Sequence, residues 1–179
     1  MGTHEEDGAI TNDELLTFAM LLRYSGLRIS DAAMLTTDRV QGDKLYLYTQ
    51  KTGQHVYVPL PPFLCNRLKR VRIRHAKFYF LGPRSHDIDV ASEVWRRKLN
   101  RVFVKASVLQ GTPHRFRHTF AVELLLRGVP LESVSILLGH NSTRITEKHY
   151  AAWVRSRQIL LEQQVAKTWD DFTLIGKAG

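Results

Sequence analysis

Residues 114–120, His-Arg-Phe-Arg-His-Thr-Phe, place two imidazoles and two guanidiniums within two helical turns. Like charges this close need an opposite charge or a loss of protons to be tolerated. On a helix His114, Arg117 and His118 stand at i, i+3 and i+4 and share a face, while Arg115 points elsewhere. Three readings compete: a solvated basic helix start, a metal held by the two histidines, or a bound phosphate. Zinc sites of the H-E-x-x-H kind carry glutamate after the first histidine. Here Arg115 stands there and Arg117 would repel a cation. An anion fits better, because a helix N-terminus offers free N–H groups and arginine adds a planar, permanently charged fork. His118, beside Phe120 and Ala121, is expected to be a buried imidazole bonded to backbone, as buried polar groups usually are.

Four other residues could join such chemistry, and each has a plain alternative. Arg28 sits in a tight connection, Ser-Gly-Leu-Arg-Ile-Ser-Asp, where Gly26 lets the chain turn sharply. Asp31 follows it and either orients the guanidinium from behind or caps a short helix, capping being the safer reading. Lys51 stands at the expected tip of a hairpin, where most lysines simply stay wet. His140 comes just after the helix stop Gly139, and Tyr150 follows ten residues later. A tyrosine on a helix is ordinarily a packing residue; as a nucleophile it needs partners that activate it or stabilise the charge it creates.

These groups need elements to hold them. Residues 11–25 open with a capping box, Thr11 to Glu14, and carry Leu15, Leu16, Phe18, Ala19 and Leu22 at helical spacing before Gly26. Ser30 is the expected cap of a short second helix. Residues 44–50 and 54–60 change to β-branched and aromatic residues around Lys51-Thr52-Gly53, which predicts a β-hairpin, with Asp38-Arg39-Val40 as a third strand. Helices are expected over 63–77, over 88–107, from Pro113 to Gly128 and from Pro130 to Gly139. Two more are expected after Thr143. The fold class is therefore mainly α with a small antiparallel β-sheet. Residues 1–10 read as a flexible leader or cloning scar, 11–179 as one domain and 155–179 as its helical tail. Two basic runs, Arg67 to Arg74 and Arg96 to Arg101, are each expected on one helix.

Composition bounds the partners. Lys and Arg number 26 against 17 Asp and Glu, a formal charge of +9 in 179 residues, and 44% of residues are hydrophobic. A globular domain with a polyanionic partner is expected. A single cysteine, Cys65, excludes an internal disulfide and a cysteine zinc site. No apolar stretch approaches membrane-spanning length, and the acidic start lacks the apolar core of a signal peptide.

Taken in order, Arg28, Lys51, His114-x-x-Arg117, His140 and Tyr150 resemble the signature of the tyrosine recombinase, or phage integrase, family. The flanking text, HRFRHTFAVELLLRGV and LLGHNSTRITEKHYAAW, is similar to that family's helices, and the resemblance covers about residues 11–165. Two positions depart: Asp31 where the family often has glutamate, and Ser135 where glutamine is frequent. The resemblance implies the catalytic-domain fold of DNA breaking-rejoining enzymes and an attack by Tyr150 on DNA through a 3′-phosphotyrosyl link. It implies phosphate clamping by Arg28, Arg117 and His140, a proton acceptor or phosphate contact at His114, and a general acid at Lys51. No metal and no nucleotide cofactor are implied. Arg70, Arg72, Arg74, Arg97 and Arg101 become candidate contacts to the DNA backbone, and nearby cations are expected to lower the pKa of Tyr150. Double-stranded DNA is the implied partner, with a homo-tetramer on DNA, a monomer when isolated, and a cytoplasmic setting. The family's separate N-terminal core-binding domain is expected to be absent. A type IB topoisomerase and a non-catalytic DNA-binding domain are the alternatives.

Overall fold

The computed structural model describes residues 10–75, 77–82 and 87–175, with 168–175 given by backbone alone. The expected flexible leader lies almost wholly outside this range, and so do Ala76 of the expected 63–77 helix and the tail side chains of Trp169, Phe172 and Leu174. Among the described residues no helix is long and apolar enough to cross a membrane.

Thr11 opens the first helix as its sequence requires. Its hydroxyl accepts from the Glu14 N–H at 3.2 Å while Glu14 Oε2 accepts from the Thr11 N–H at 2.7 Å, so two orphan donors are met reciprocally. Helix α1 (Asn12–Ser25) turns Phe18, Leu21 and Leu22 into the core. Gly26 ends it at φ 66°. A Cβ there would lie 2.4 Å from Cδ1 of Phe120, so only glycine allows both the turn and the packing. Helix α2 (Ile29–Ala33) follows. Its N-cap is Arg28 rather than the expected Ser30, and no side chain caps it.

A 3-10 turn (Thr37–Arg39) leads into β1 (Val40–Gln41), β2 (Lys44–Tyr48) and β3 (His55–Pro59), an antiparallel sheet in that order. The third strand thus starts at the end of the Asp38-Arg39-Val40 stretch. Leu45, Leu47, Val56 and Val58 point into the core and Tyr46, Tyr48 and Tyr57 point out, the two-residue alternation of a half-buried hairpin. Its loop spans 49–54, longer than the three-residue turn read from sequence, and Gly53 sits at φ 62°.

Helix α3 (Pro62–Leu68) stops well short of residue 77. Beyond it Lys69 and Arg70 turn the chain, with the Arg70 N–H bonded to the Arg67 carbonyl at 2.9 Å, and no further helix begins before Ile88 among the described residues. The second basic run does lie on a helix, α4 (Ile88–Lys105), which Asp87 caps by accepting from the Asp89 and Val90 N–H groups. Trp95 fixes α4 to the core: it stacks on Phe18 at 4.0 Å and donates its indole N–H to the Phe80 carbonyl at 3.0 Å.

Helix α5 (His114–Leu126) begins at Pro113 and packs on α1. Helix α6 (Leu131–Leu137) packs on β3, and α7 (Thr143–Ile175) lies across α5 and α6. Two helices were expected where α7 is one, because no glycine or proline interrupts Trp153 to Gln158. Past its packed first turns α7 leaves the body: Ile159, Leu160 and Val165 are each half exposed or more. Up to residue 167 the tail therefore does not pack on its own core.

Candidate active site

Arg117 ties the site together. It sits one turn into α5 and is only 3% exposed. Its Nη1 donates to the Gly26 carbonyl at 2.8 Å and its Nη2 to the Leu138 carbonyl at 2.6 Å. One guanidinium thus joins the end of α1 to the end of α6. Burial, and then the neighbouring Arg28, bring its pKa down to about 10, which leaves it charged at neutral pH.

Arg28 is held differently. Its Nη1 is buried with no hydrogen-bond partner, and Asp31 Oδ2 is 3.9 Å away, too far for a hydrogen bond. Asp31 is the third residue of α2 and interacts with the Arg28 backbone at the helix start as well as with a second element. Its Oδ1 accepts from the Gln50 N–H at 2.8 Å, so the buried carboxylate anchors the hairpin loop one residue before Lys51. Burial raises the pKa of Asp31, and the Gln50 bond and the two arginines pull it partly back. The same loop is tied on its other side, where Thr52 Oγ1 donates to the Gly139 carbonyl at 3.1 Å. Gly139 (φ 60°) has no room for a side chain, since a Cβ would stand 2.8 Å from Val56 Cγ2. The exposed Lys51 thus rides on a loop fastened to both halves of the site.

Arg28, Lys51, His114 and Arg117 line one open cleft of about 460 Å3. From α4, Arg96 and Asn100 complete its wall. Arg96 belongs to the second basic run, but the candidates singled out there are Arg97 and Arg101; Arg97 lies one position round the helix, and both Arg96, at 2.6 Å, and Arg97, at 3.7 Å, pair with Glu93. The missed signal is positional. Arg96 and Asn100 each follow a buried residue, Trp95 and Leu99, so they share one flank at i, i+4.

His140 lies within electrostatic reach of the same cations. Burial first, then Arg117, Arg28, His149 and His114, bring its pKa down to about 4. Burial also lowers His114 and His118. These shifts favour neutral imidazoles beside the arginines, which eases the crowding of charge in the 114–120 run. The sign follows from linkage. A histidine that titrates lower when folded lets the unfolded chain bind protons first, so stability is intact above pH ~6.5 and falls as pH drops toward 4. Thermal melts should be flat above pH 7 and decline below about 6.5. His140→Gln should flatten part of that decline.

Tyr150 does not line the cleft. It is 4% exposed, its ring centred 5.3 Å from that of His118 and 6.1 Å from that of Trp153. Burial raises its pKa, and Arg117 offsets this only in part. The expectation that nearby cations lower it fails for the free protein, because desolvation outweighs one guanidinium. His118 is also reassigned. It makes no backbone hydrogen bond among the described residues, and serves as the ring against which Tyr150 rests, with Trp153 edge-on at 4.9 Å.

The basic surface divides. Arg74, a sequence candidate for the DNA backbone, instead donates to Glu14 Oε2 at 2.5 Å in a mostly buried pair. Arg70, in the turn after α3, and Arg72 beyond it are exposed, and Arg97 and Arg101 are exposed on α4.

A mostly helical domain with one three-stranded sheet, bringing two arginines, a lysine and a histidine to one cleft, has the fold of tyrosine recombinase catalytic domains. The chain belongs to the phage integrase family, whose profile matches residues 5–156. Among curated relatives, tyrosine recombinase XerA of Pyrococcus furiosus is 29% identical over 155 residues, covering 79% of this chain and 54% of that protein. Tyrosine recombinase XerC of Rickettsia typhi is 29% identical over 144 residues, covering 73% and 44%. The chain thus spans about half the length of these relatives. The catalytic domain of bacteriophage HP1 integrase superposes with a TM-score of 0.60 at 22% identity, covering 89% of this chain and 86% of that one. XerH recombinase bound to its difH substrate superposes at 0.62 and 16%, covering 79% and 44%.

Proposed function

We propose that this chain is the catalytic domain of a site-specific DNA recombinase that breaks and rejoins strands through Tyr150. The observation that carries the reading is the convergence of Arg28, Lys51, His114 and Arg117 on one cleft, with His140 within reach of both guanidiniums and Tyr150 within reach of that of Arg117. The family and the DNA-bound relatives support a duplex as substrate.

The residue types follow from charge. Tyr150 Oη attacks phosphorus and the bond to the 5′-oxygen breaks, leaving a 3′-phosphotyrosyl link and a free 5′-hydroxyl. Neutral His114 takes the phenol proton or shares the phosphate. Extra negative charge builds on the non-bridging oxygens, where Arg28 brings a donor that now has no partner and Arg117 keeps three of its five N–H groups. His140 adds a neutral donor. Lys51 protonates the leaving 5′-oxygen. A 5′-hydroxyl from another strand then reverses the step, and no water is consumed.

Lys51→Ala should slow cleavage roughly 10²–10⁴-fold, the worth of a general acid. A substrate with sulfur in place of the bridging 5′-oxygen should recover most of that loss, because a thiolate leaves without a proton. Equal slowing on both substrates would remove Lys51 from the acid role.

The homo-tetramer on DNA, built from chains that are monomers alone, rests on α7. Ile159, Leu160 and Val165 are exposed on a helix that leaves its own body, and docking on a neighbouring protomer would cover them. Sedimentation should give a monomer for the free protein and a higher assembly on a duplex carrying its site. Deleting residues 158–179 should abolish the assembly first.

The deciding experiment uses nicked suicide duplexes with randomised arms, in EDTA, scored for an SDS-resistant adduct. An adduct with exchange between duplexes supports a recombinase. An adduct with plasmid relaxation and no exchange is the topoisomerase outcome. No adduct on any arm, with retained DNA binding, marks a binding module.

A further inference from the structure

One buried hydroxyl has no part in the chemistry above. Thr146 lies in the first turns of α7 and is fully buried. Its Oγ1 is 2.8 Å from Nδ1 of His140, and among the described residues it makes no other hydrogen bond. That is unusual in this protein. The helical hydroxyls of Thr17, Ser25, Thr119 and Ser156 each donate to the carbonyl four residues before, the local bond that helical Ser and Thr favour. Thr146 gives it up for an imidazole.

The direction of the bond follows from burial. A neutral imidazole carries one N–H, and His140 is neutral at pH 7. If Nδ1 carried the hydrogen, Thr146 would accept it and its own proton would point into the core unmet. An unmet buried donor costs more than a spare lone pair on an oxygen. The favoured state therefore has Thr146 donating to Nδ1, which leaves the hydrogen on Nε2.

We propose that Thr146 is a positioning residue that fixes the His140 ring with its proton on Nε2, ready to donate to a phosphate oxygen. The inference rests on the recombinase reading, in which His140 supplies a donor to the transferring phosphate. A lone pair on Nε2 would repel that oxygen, so the tautomer decides whether His140 helps or hinders.

The test titrates His140 by ¹⁵N-edited NMR in the free protein and in Thr146→Val and Thr146→Ser. Arg117 and His114 on α5, Arg28 ahead of α2, and His149 on α7 all act on this ring and stay in place in every variant. A hydroxyl that donates to Nδ1 stabilises the neutral ring, so Thr146→Val should raise its proton affinity roughly 2–10-fold, the worth of one ordinary hydrogen bond. Thr146→Ser should restore it. A hydroxyl that accepts would stabilise the charged ring instead, so a fall in affinity, or no change, overturns the proposal. A pyrrole-like Nδ1 signal in the unaltered protein overturns it too, even if the valine variant does not fold. With suicide duplex, Thr146→Val should cleave about 10–100-fold more slowly, as when an orienting partner is lost, and Thr146→Ser near normally. Unchanged cleavage by the valine variant would remove Thr146 from the reaction. If the unaltered protein forms no adduct, the recombinase reading fails separately, and the titration alone still decides the Thr146–His140 bond.

Discussion

Tyr150→Phe forms no covalent adduct: on a duplex that the unaltered protein cleaves, the expected loss is at least about 10⁴-fold, the scale seen when a nucleophile is deleted. The physical case rests on what the substitution leaves alone. The ring of Tyr150 carries the packing against His118 and Trp153, and phenylalanine keeps it. The hydroxyl makes no hydrogen bond among the described residues, so its removal leaves no partner stranded. Melting temperature should therefore move little, since the ring's packing is kept and no buried partner is left unmet. DNA binding should persist. A residual adduct in Tyr150→Phe would assign the nucleophile elsewhere and end the proposed mechanism. The buried phenol adds a kinetic expectation. Because burial raises its pKa, free protein should react slowly with phenol-directed reagents at Tyr150, and binding of a cognate duplex should change that rate.

The second large effect is at Arg117, and it falls on stability and chemistry together. Arg117→Met strands two carbonyls, Gly26 and Leu138, each now met by a charged donor. An unmet buried acceptor costs about 1–3 kcal/mol. Relief of a desolvated charge next to Arg28 offsets part of that. A net loss of about 2–4 kcal/mol is expected, or roughly 5–15 °C in Tm at about 2–4 °C per kcal/mol. Cleavage at a temperature where the variant is folded should fall about 10²–10³-fold, the effect of losing one preorganised donor. Arg28→Met is the control. It should lose similar activity with a smaller fall in Tm, because Arg28 Nη1 makes no hydrogen bond in the free protein and only its charge beside Asp31 is lost. If Arg117→Met melted like the unaltered protein, the bridging role of Arg117 between α1 and α6 would be wrong.

The two arginines illustrate why a residue list is not a site. They are of one type, and the sequence gives both the same task. Only the fold makes one a structural keystone and leaves the other with a free donor. The same holds for Asp31, whose carboxylate reaches across to Gln50 in the hairpin as well as to the start of its own helix. Sequence spacing describes neighbours within an element; it is silent about which loop from another element will present an unpaired N–H.

What the chain determines locally is legible in it because local physics is short-ranged. The capping box at Thr11 and Glu14, the glycine stop at Gly26, the alternation of Leu45, Leu47, Val56 and Val58, and the ordered set Arg28, Lys51, His114, Arg117, His140 and Tyr150 all sit in the sequence itself. Tertiary structure alone decided the rest. It buried Tyr150, and so moved the phenol's pKa opposite to the direction its cationic neighbours suggest. It shifted three histidines toward the neutral form by desolvation, paired Arg74 inward with Glu14, and brought Arg96 and Asn100 to the cleft wall. The physical reason is the same in each case. Desolvation and pairing depend on what other elements bring within a few ångströms, and no spacing along one chain encodes that distance.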